Sequence, residues 1–366
     1  LSNIFRCWMP QTLVAADGRL RELWRLLERF STVGWQLLLQ YAEEDCIGDF
    51  NYKPRWRRGS TDYGNVHAVS HEKIQAAVNL LLSRPHYEVK QLTDWVEHLK
   101  DLIPVDREKV FQLIRCWQET EGTDEAAEMV RSALRRHVLG DRETPASVRS
   151  AVQALCDRLA SDDEILRNAW LFGGFWNVEG AAGTSVEDWP RRLARHQAQQ
   201  TEIVGVVYGR YGLKGLWQLA AKADDPKEVG AAVARAQWPL ERLTDMVAES
   251  VSCGEDQSQV VSGWMKREPR ASVASVLQSV KSWISAEAFK SLLLQAPFVP
   301  KIWRLSAGDA TLAKTYWATV APQSPFPGDA ATAVQSLMAA ERPWAAFDAI
   351  QWAPERLETS LLVTLL

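Results

Sequence analysis

The sequence lacks the motifs by which many enzymes and membrane proteins are recognised. It contains no G-x-x-x-x-G-K-[ST] phosphate loop, no G-x-S-x-G elbow and no H-E-x-x-H pair. It has no run of about 18 apolar residues, and its N-terminus lacks the charged-then-apolar layout of a signal peptide. We therefore expect a chain that does not cross a membrane, has no active site of its own and binds no cofactor.

Cysteine is scarce and scattered. Its number is odd, and no two cysteines form a C-x-x-C pair, which argues against both a disulfide framework and a zinc site. We therefore expect reduced cysteines and a cytoplasmic location. The five positions are Cys7, Cys46, Cys116, Cys156 and Cys253.

A surplus of positive charge is also absent. The formal net charge is −4, so nothing in the overall charge favours nucleic acid as the partner. Hydrophobic residues make up 46% and charged residues 24% of the chain, which is typical of a well-packed protein rather than a disordered one.

Tryptophan is the residue in excess, with 17 in 366 positions. A tryptophan side chain buries a large area at a low cost in rotamer entropy, so the excess fits either many separate packing centres or a recognition surface. The sequence leaves both interpretations open, and we favour packing.

Apolar residues recur with the period of a helix along most of the chain. Leu20, Leu23, Trp24, Leu27 and Phe30 lie on one helical face. Similar stripes predict helices of about 10 to 16 residues separated by short breaks, which give units of about 35 to 45 residues, the size of two-helix repeats. The sequence predicts an all-α fold of degenerate two-helix repeats that form a solenoid-like array.

Helix starts and irregular stretches give the predicted organisation. We expect Thr123 or Asp124, and also Asp106, to cap helices. Two polar, glycine-containing stretches suggest boundaries. They predict an N-terminal helical pair with a basic loop (1–60) and two helical repeat segments (61–185 and 186–366).

The first candidate contact site is the basic loop. One interpretation is an anion contact in which Trp56 stacks on a base or an arginine. The other, which we favour, is that the arginines bridge the acidic run at 43–45 while Trp56 packs on the first helices. The loop residues are Lys53, Arg55, Trp56, Arg57 and Arg58.

The second candidate site is the aromatic cluster at 170–176, in which Phe172, Phe175 and Trp176 surround two glycines. Glycines next to aromatic residues permit a tight turn that folds the rings onto a core, but exposed rings would suit a partner. We favour the core interpretation and keep the three residues as candidate contacts.

His67 and His71 are spaced as two ligands on one helical face. No cysteine or cluster of carboxylates accompanies them, so we favour an exposed helix start and predict no metal site.

The chain resembles the C-terminal helical region of very large bacterial signal-transducing NTPases of the STAND type, many of which act in anti-phage defence. The resemblance rests on aromatic and proline positions rather than on a catalytic motif. The residues are Phe5–Thr12, Leu20–Phe30, Gly34–Leu39, Lys53–Arg57, Ala296–Trp303, Tyr316, Trp317 and Ala340–Ala349.

This resemblance implies a sensor segment that recognises a protein ligand, phage-derived in the case of a defence protein, and that contacts upstream effector and NTPase domains of the same protein. The abrupt apolar ends at Leu1 and Leu366 fit a segment cut from a longer chain. Two alternatives stay open. One is a nucleic-acid-binding helical array that uses the basic loop and Arg191–Arg195, and the other is a free-standing scaffold or adaptor.

Overall fold

A computed structural model describes residues 16–42, 71–139, 144–173, 188–252, 254–323, 329–351 and 354–365. These ranges are helical, and they contain no β-strand. The all-α prediction is therefore confirmed, whereas the solenoid-like arrangement stays a prediction. The chain forms two compact units, Leu1–Ser161 and Asp162–Leu366. The predicted segment boundaries near residues 60 and 185 both lie outside the described residues.

The first unit is a set of short amphipathic helices. The helices are α1 (Ala16–Arg29), α2 (Ser31–Ala42), α3 (His71–Leu82), α4 (Val89–Glu97), α5 (Pro104–Thr120), α6 (Asp124–Leu134) and α7 (Ala146–Arg158). A 3₁₀ turn, Leu99–Asp101, follows α4, and a π-helical turn, Arg135–Leu139, continues α6.

Aromatic rings occupy the centre of this unit. Trp35 from α2 meets Trp95 from α4 edge to face, with ring centroids 6.0 Å apart, and meets Tyr87 in the same way at 6.2 Å. The edge of one ring is electropositive and the face of another electronegative, so this arrangement adds to the gain from apolar burial. Trp35 and Trp95 of the first unit therefore serve packing.

The two predicted helix caps have different outcomes. The Thr123 side chain accepts a hydrogen bond from the Ala126 backbone N–H and caps α6, as expected. Asp106 is not a cap, because α5 already begins at Pro104. The Asp106 carboxylate is buried and accepts hydrogen bonds from Gln75 and Lys109. It joins α3 to α5, a role that the local pattern does not indicate.

The second unit continues the series with twelve described α-helices. They are α8 (Glu164–Ala169), α9 (Trp189–Lys222), α10 (Pro226–Arg235), α11 (Leu240–Ser250), α12 (Glu255–Arg267), α13 (Arg270–Val280), α14 (Ala286–Gln295), α15 (Pro300–Ala307), α16 (Ala310–Thr319), α17 (Ala330–Ala339), α18 (Pro343–Ile350) and α19 (Thr359–Leu365).

Helix α9 contains a kink. The periodicity predicts one helix up to Tyr208 and another from Lys214. The structure runs through both and departs from helical geometry at Gly212, where φ is 64°. Glycine adopts this left-handed conformation without the steric cost that a side chain would add. The break expected between the two predicted helices is therefore present as a kink at one residue.

Helices α10 and α12 touch backbone to backbone. A Cβ added at Gly230 of α10 would overlap the carbonyl oxygen of Val260 and lie 2.6 Å from the backbone nitrogen of Trp264. A Cβ at Gly263 of α12 would overlap the Lys227 carbonyl and lie 2.7 Å from the Lys227 Cα. The two glycines thus permit the same close approach from opposite sides.

This contact makes Gly263→Ala a sharp test of the packing. The added methyl group meets backbone atoms that cannot rotate away, so the two helices must separate. We expect the free energy of unfolding to fall by about 3 kcal/mol, at the upper end for overpacked cores, in urea denaturation followed by circular dichroism.

Gly205→Ala is the matched control. Gly205 lies in α9, and a Cβ there would meet nothing within 4 Å. Because alanine favours helix over glycine by about 1 kcal/mol, this variant should be slightly more stable. An equal response of the two variants would contradict the close approach of α10 and α12.

Candidate functional site

The basic loop proposed as a contact lies outside the described residues: Lys53, Arg55, Trp56, Arg57 and Arg58 are all in the range 43–70.

Phe175 and Trp176 also lie outside the described residues. Phe172 is fully buried in the core of the second unit, in agreement with the core interpretation of its cluster, and it presents no surface to a partner. His67 is outside the described residues, and His71 is the first residue of α3.

The tryptophans divide by exposure. Most of those whose side chains are described are buried or half-buried, and two are exposed. The buried set is Trp35, Trp95, Trp117, Trp217, Trp238, Trp264 and Trp303, the half-buried set is Trp24, Trp170, Trp189 and Trp317, and the exposed set is Trp283 and Trp344. Among the described residues, packing therefore accounts for most tryptophans, and the exposed set is available to a partner.

Three indoles donate hydrogen bonds to carboxylates. The distances from Nε1 to the carboxylate oxygen are 2.8 Å for Trp35 and Asp94, 2.9 Å for Trp217 and Glu249, and 3.1 Å for Trp264 and Glu268. A buried indole N–H without a partner would be destabilising, and these acids provide the acceptor. Burial raises the pKa of Glu268, while hydrogen bonds from Ser272 and Trp264 oppose that shift. These acids serve packing rather than catalysis.

A buried ion pair in the first unit is also structural. Arg131 donates to both carboxylate oxygens of Glu128, at 2.8 and 2.9 Å, and the backbone N–H of Ser161 donates to the same carboxylate at 2.9 Å. Both charged side chains are buried. The pair therefore joins α6 to the segment that follows α7 and leaves no open surface for a substrate.

Trp344 is the most exposed large apolar side chain in the described structure, at 81%, and Phe347 lies one helical turn along α18 at 39%. The opposite face of α18 is buried through Ala345, Ala346 and Ala349. These small residues pack the helix on its neighbours, as the alanine-rich pattern predicts. The aromatic pair therefore projects from a helix whose other face is fixed.

The start of α18 is held by Arg342. Its guanidinium donates to the carbonyl oxygens of Trp317, at 3.0 Å, and Val320, at 2.8 Å, which lie at the end of α16. Glu341, just before it, has a φ of 59°, a conformation that is uncommon outside glycine. The turn and the arginine together fix where Trp344 and Phe347 point.

A second polar group lies where α9 meets the 3₁₀ turn Trp170–Phe172. Gln200 donates to the Leu171 carbonyl at 2.8 Å and accepts from Arg235 at 2.5 Å. Burial lowers the pKa of His196, the hydrogen bond with Leu171 opposes this, and Arg235 lowers the pKa further. His196 is therefore held in its neutral form at neutral pH, where it helps to satisfy a buried backbone carbonyl.

The described ranges contain neither a metal-binding cluster nor a membrane-spanning helix. No group of three His, Cys, Asp or Glu side chains there could hold a metal ion. No helix in those ranges is both long and apolar enough to cross a membrane.

Comparison with known proteins found no match to a family model, to a curated protein or to a solved structure.

His196 predicts a pH dependence of stability. Its pKa is lower in the folded chain than in the unfolded chain, so the unfolded chain binds more protons as the pH falls. The contribution of neutral His196 is complete above the unfolded pKa near 6.5 and is lost as the pH falls through the folded pKa. We expect the stability difference between wild type and His196→Gln to shift against the wild type between pH 7.5 and pH 5.

Urea denaturation at several pH values measures this difference. His86→Gln is the control for a lost imidazole, because His86 is exposed and pairs with Glu121 at 2.8 Å. A difference for His196→Gln that stays constant over the pH range would contradict the shifted pKa.

Proposed function

We propose that this chain is a protein-interaction and sensor segment of a larger bacterial defence or signalling NTPase, which recognises a protein ligand through the surface of a helical-repeat array. The observation that carries the proposal is the exposed aromatic pair of α18, Trp344 and Phe347. The solenoid arrangement, the upstream NTPase and the phage origin of the ligand all belong to this proposal.

The aromatic pair has the properties of an interface anchor. Tryptophan is enriched among the few residues that contribute most of the binding energy at protein interfaces. Trp344 leaves most of its ring in water, although most other tryptophans of the described structure are at least half-buried. Because the other face of α18 is packed, a partner would meet a pre-ordered surface and would lose little conformational freedom on binding.

The larger context comes from the resemblance to the C-terminal regions of signal-transducing NTPases. On that basis, effector and nucleotide-binding residues lie upstream of Leu1, and this segment acts without catalytic residues or a cofactor of its own. Binding of the ligand would bias the conformation of the array and thereby of the upstream domains, as a ligand does when it prefers one of two states. A phosphate loop encoded upstream of Leu1 in the native reading frame is the genetic test.

A nucleic-acid-binding array is the second candidate. Arg191 and Arg195 are exposed one turn apart on α9, and backbone phosphates would suit them. The net charge of −4 weighs against this function. A free-standing helical adaptor is the account to adopt if no NTPase precedes the segment.

Replacement of Trp344 separates recognition from folding. We expect Trp344→Ala to leave the melting temperature nearly unchanged, because surface substitutions usually alter stability by no more than about 0.5 kcal/mol. We expect the same variant to weaken capture of the protein ligand by about 30-fold or more, the loss of a typical anchor residue. Affinity capture from infected and uninfected bacterial cells, quantified by mass spectrometry, measures the second effect.

Trp283→Ala is the matched control, because Trp283 is also exposed, at 61%, but lies in the turn after α13. It should capture the ligand as the wild type does. The proposal fails if Trp344→Ala captures the same proteins in the same yield as the wild type and Trp283→Ala.

A further inference from the structure

The first unit contains a cavity of about 250 Å³ that is lined by both apolar and basic side chains. Leu99, Val138 and Val148 contribute the apolar side chains. Lys100 and Arg107 contribute the permanent positive charges, with His137 beside them. Ligand cavities for drug-sized molecules usually exceed about 300 Å³, so this volume suits a smaller molecule.

The basic groups come from three separate elements. Lys100 is in the 3₁₀ turn after α4, Arg107 is in the first turns of α5, and His137 is in the π-helical turn after α6. Residues spread over 38 positions of the sequence are thus brought to one cavity. Lys100 and Arg107 carry like charges that repel when they converge, so their arrangement is most favourable when an anion lies between them.

Lys100 and Arg107 have no acidic partner in the described part of the chain. Arg107 uses its Nε to donate to the Leu102 carbonyl at 2.8 Å, which fixes the side chain and leaves the terminal guanidinium nitrogens for a ligand. A guanidinium presents paired donors that match the geometry of a phosphate oxygen pair. The cavity therefore holds the Arg107 guanidinium, fixed by its bond to Leu102, beside the ammonium group of Lys100.

His137 is surrounded by one carboxylate and several basic groups. Glu97 lies 3.4 Å from its Nε2, and His98 is occupied by Asp101 at 3.7 Å. Burial lowers the pKa of His137, Glu97 raises it, and Arg136, His98 and Lys100 each lower it. The groups that act on His137 are thus mostly basic, with one carboxylate opposing them.

The backbone at this cavity is unusual as well. Arg135–Leu139 forms a π-helical turn, and π turns are rare and occur frequently at functional sites because they redirect side chains. Here the turn supplies both His137 and Val138 to the cavity. This observation is independent of the charges.

We propose that this cavity binds a small phosphate monoester, with the phosphate group against Lys100, Arg107 and His137 and the organic group against Leu99, Val138 and Val148. The site goes beyond the proposed protein-interaction surface, because it lies in the other unit and takes a different class of ligand. A small-molecule signal would add a second input to a protein sensor.

Titration calorimetry of the 366-residue chain with phenyl phosphate tests the site, with phenol and inorganic phosphate as comparison probes. We expect phenyl phosphate to bind with a dissociation constant below about 1 mM, and phenol to show no binding, since charge provides most of the attraction. We expect Lys100→Gln and Arg107→Gln each to weaken binding about tenfold, the loss of one charge-assisted contact.

Arg115→Gln is the matched control. Arg115 is also on α5 but pairs with Glu108 at 3.2 Å and does not line the cavity, so binding should be unchanged. Arg107→Gln also removes the bond to Leu102, so lower stability would weaken its binding as well. Two further variants separate the two effects. They are Lys100→Gln, at an exposed position, and Arg107→Lys, which keeps the charge but loses the paired guanidinium donors.

Three outcomes overturn the proposal. One is the absence of phenyl phosphate binding up to about 10 mM, a concentration beyond any specific affinity for such a site. Another is equal binding by the wild type, Lys100→Gln and Arg107→Lys. The third is equal affinity for inorganic phosphate and phenyl phosphate, which would remove any role for the apolar side chains and with it the monoester.

Discussion

The second unit depends on the contact between the backbones of α10 and α12. Gly230 and Gly263 let the two helices approach so closely that a methyl group on either would overlap a carbonyl oxygen of the other. Val229 and Val233 of α10 and Val260 and Trp264 of α12 are fully buried around this contact. Helix interiors with glycine are weaker by about 1 kcal/mol per residue than with alanine, so the packing gained at the contact must offset that cost.

Indole N–H groups are paired with carboxylates in both units. A large ring contributes much apolar burial, but its N–H needs an acceptor, and carboxylates on helices provide one for Trp35, Trp217 and Trp264. This pairing accounts for part of a composition that is rich in tryptophan and slightly acidic. Trp344 differs because its ring is left in water on a helix held in place by Arg342. That difference is the reason why we propose a partner-binding surface on α18.

Much of the fold could be predicted from the sequence, because amphipathic periodicity and cap residues act locally. The Thr123 cap and the break near Gly212 are examples. The sequence predicts Asp106 as a cap, and this prediction is wrong because its partner Gln75 lies 31 residues away. The sequence places Gly230 and Gly263 within helices, but the helix that each one approaches depends on tertiary packing. The basic cavity has no signal in the sequence for the same reason, since Lys100, Arg107 and His137 share no local motif.

We infer that the α10–α12 contact is the rigid centre of the second unit and that α18 is an ordered helix that carries the aromatic pair. Amide hydrogen exchange of the folded chain, followed by mass spectrometry, tests both parts at once. We expect peptides from 226–235 and 255–267 to exchange slowest in that unit and 343–350 to be protected as a helix. Rapid exchange of 255–267, or of 343–350 at the rate of an unstructured peptide, would contradict it.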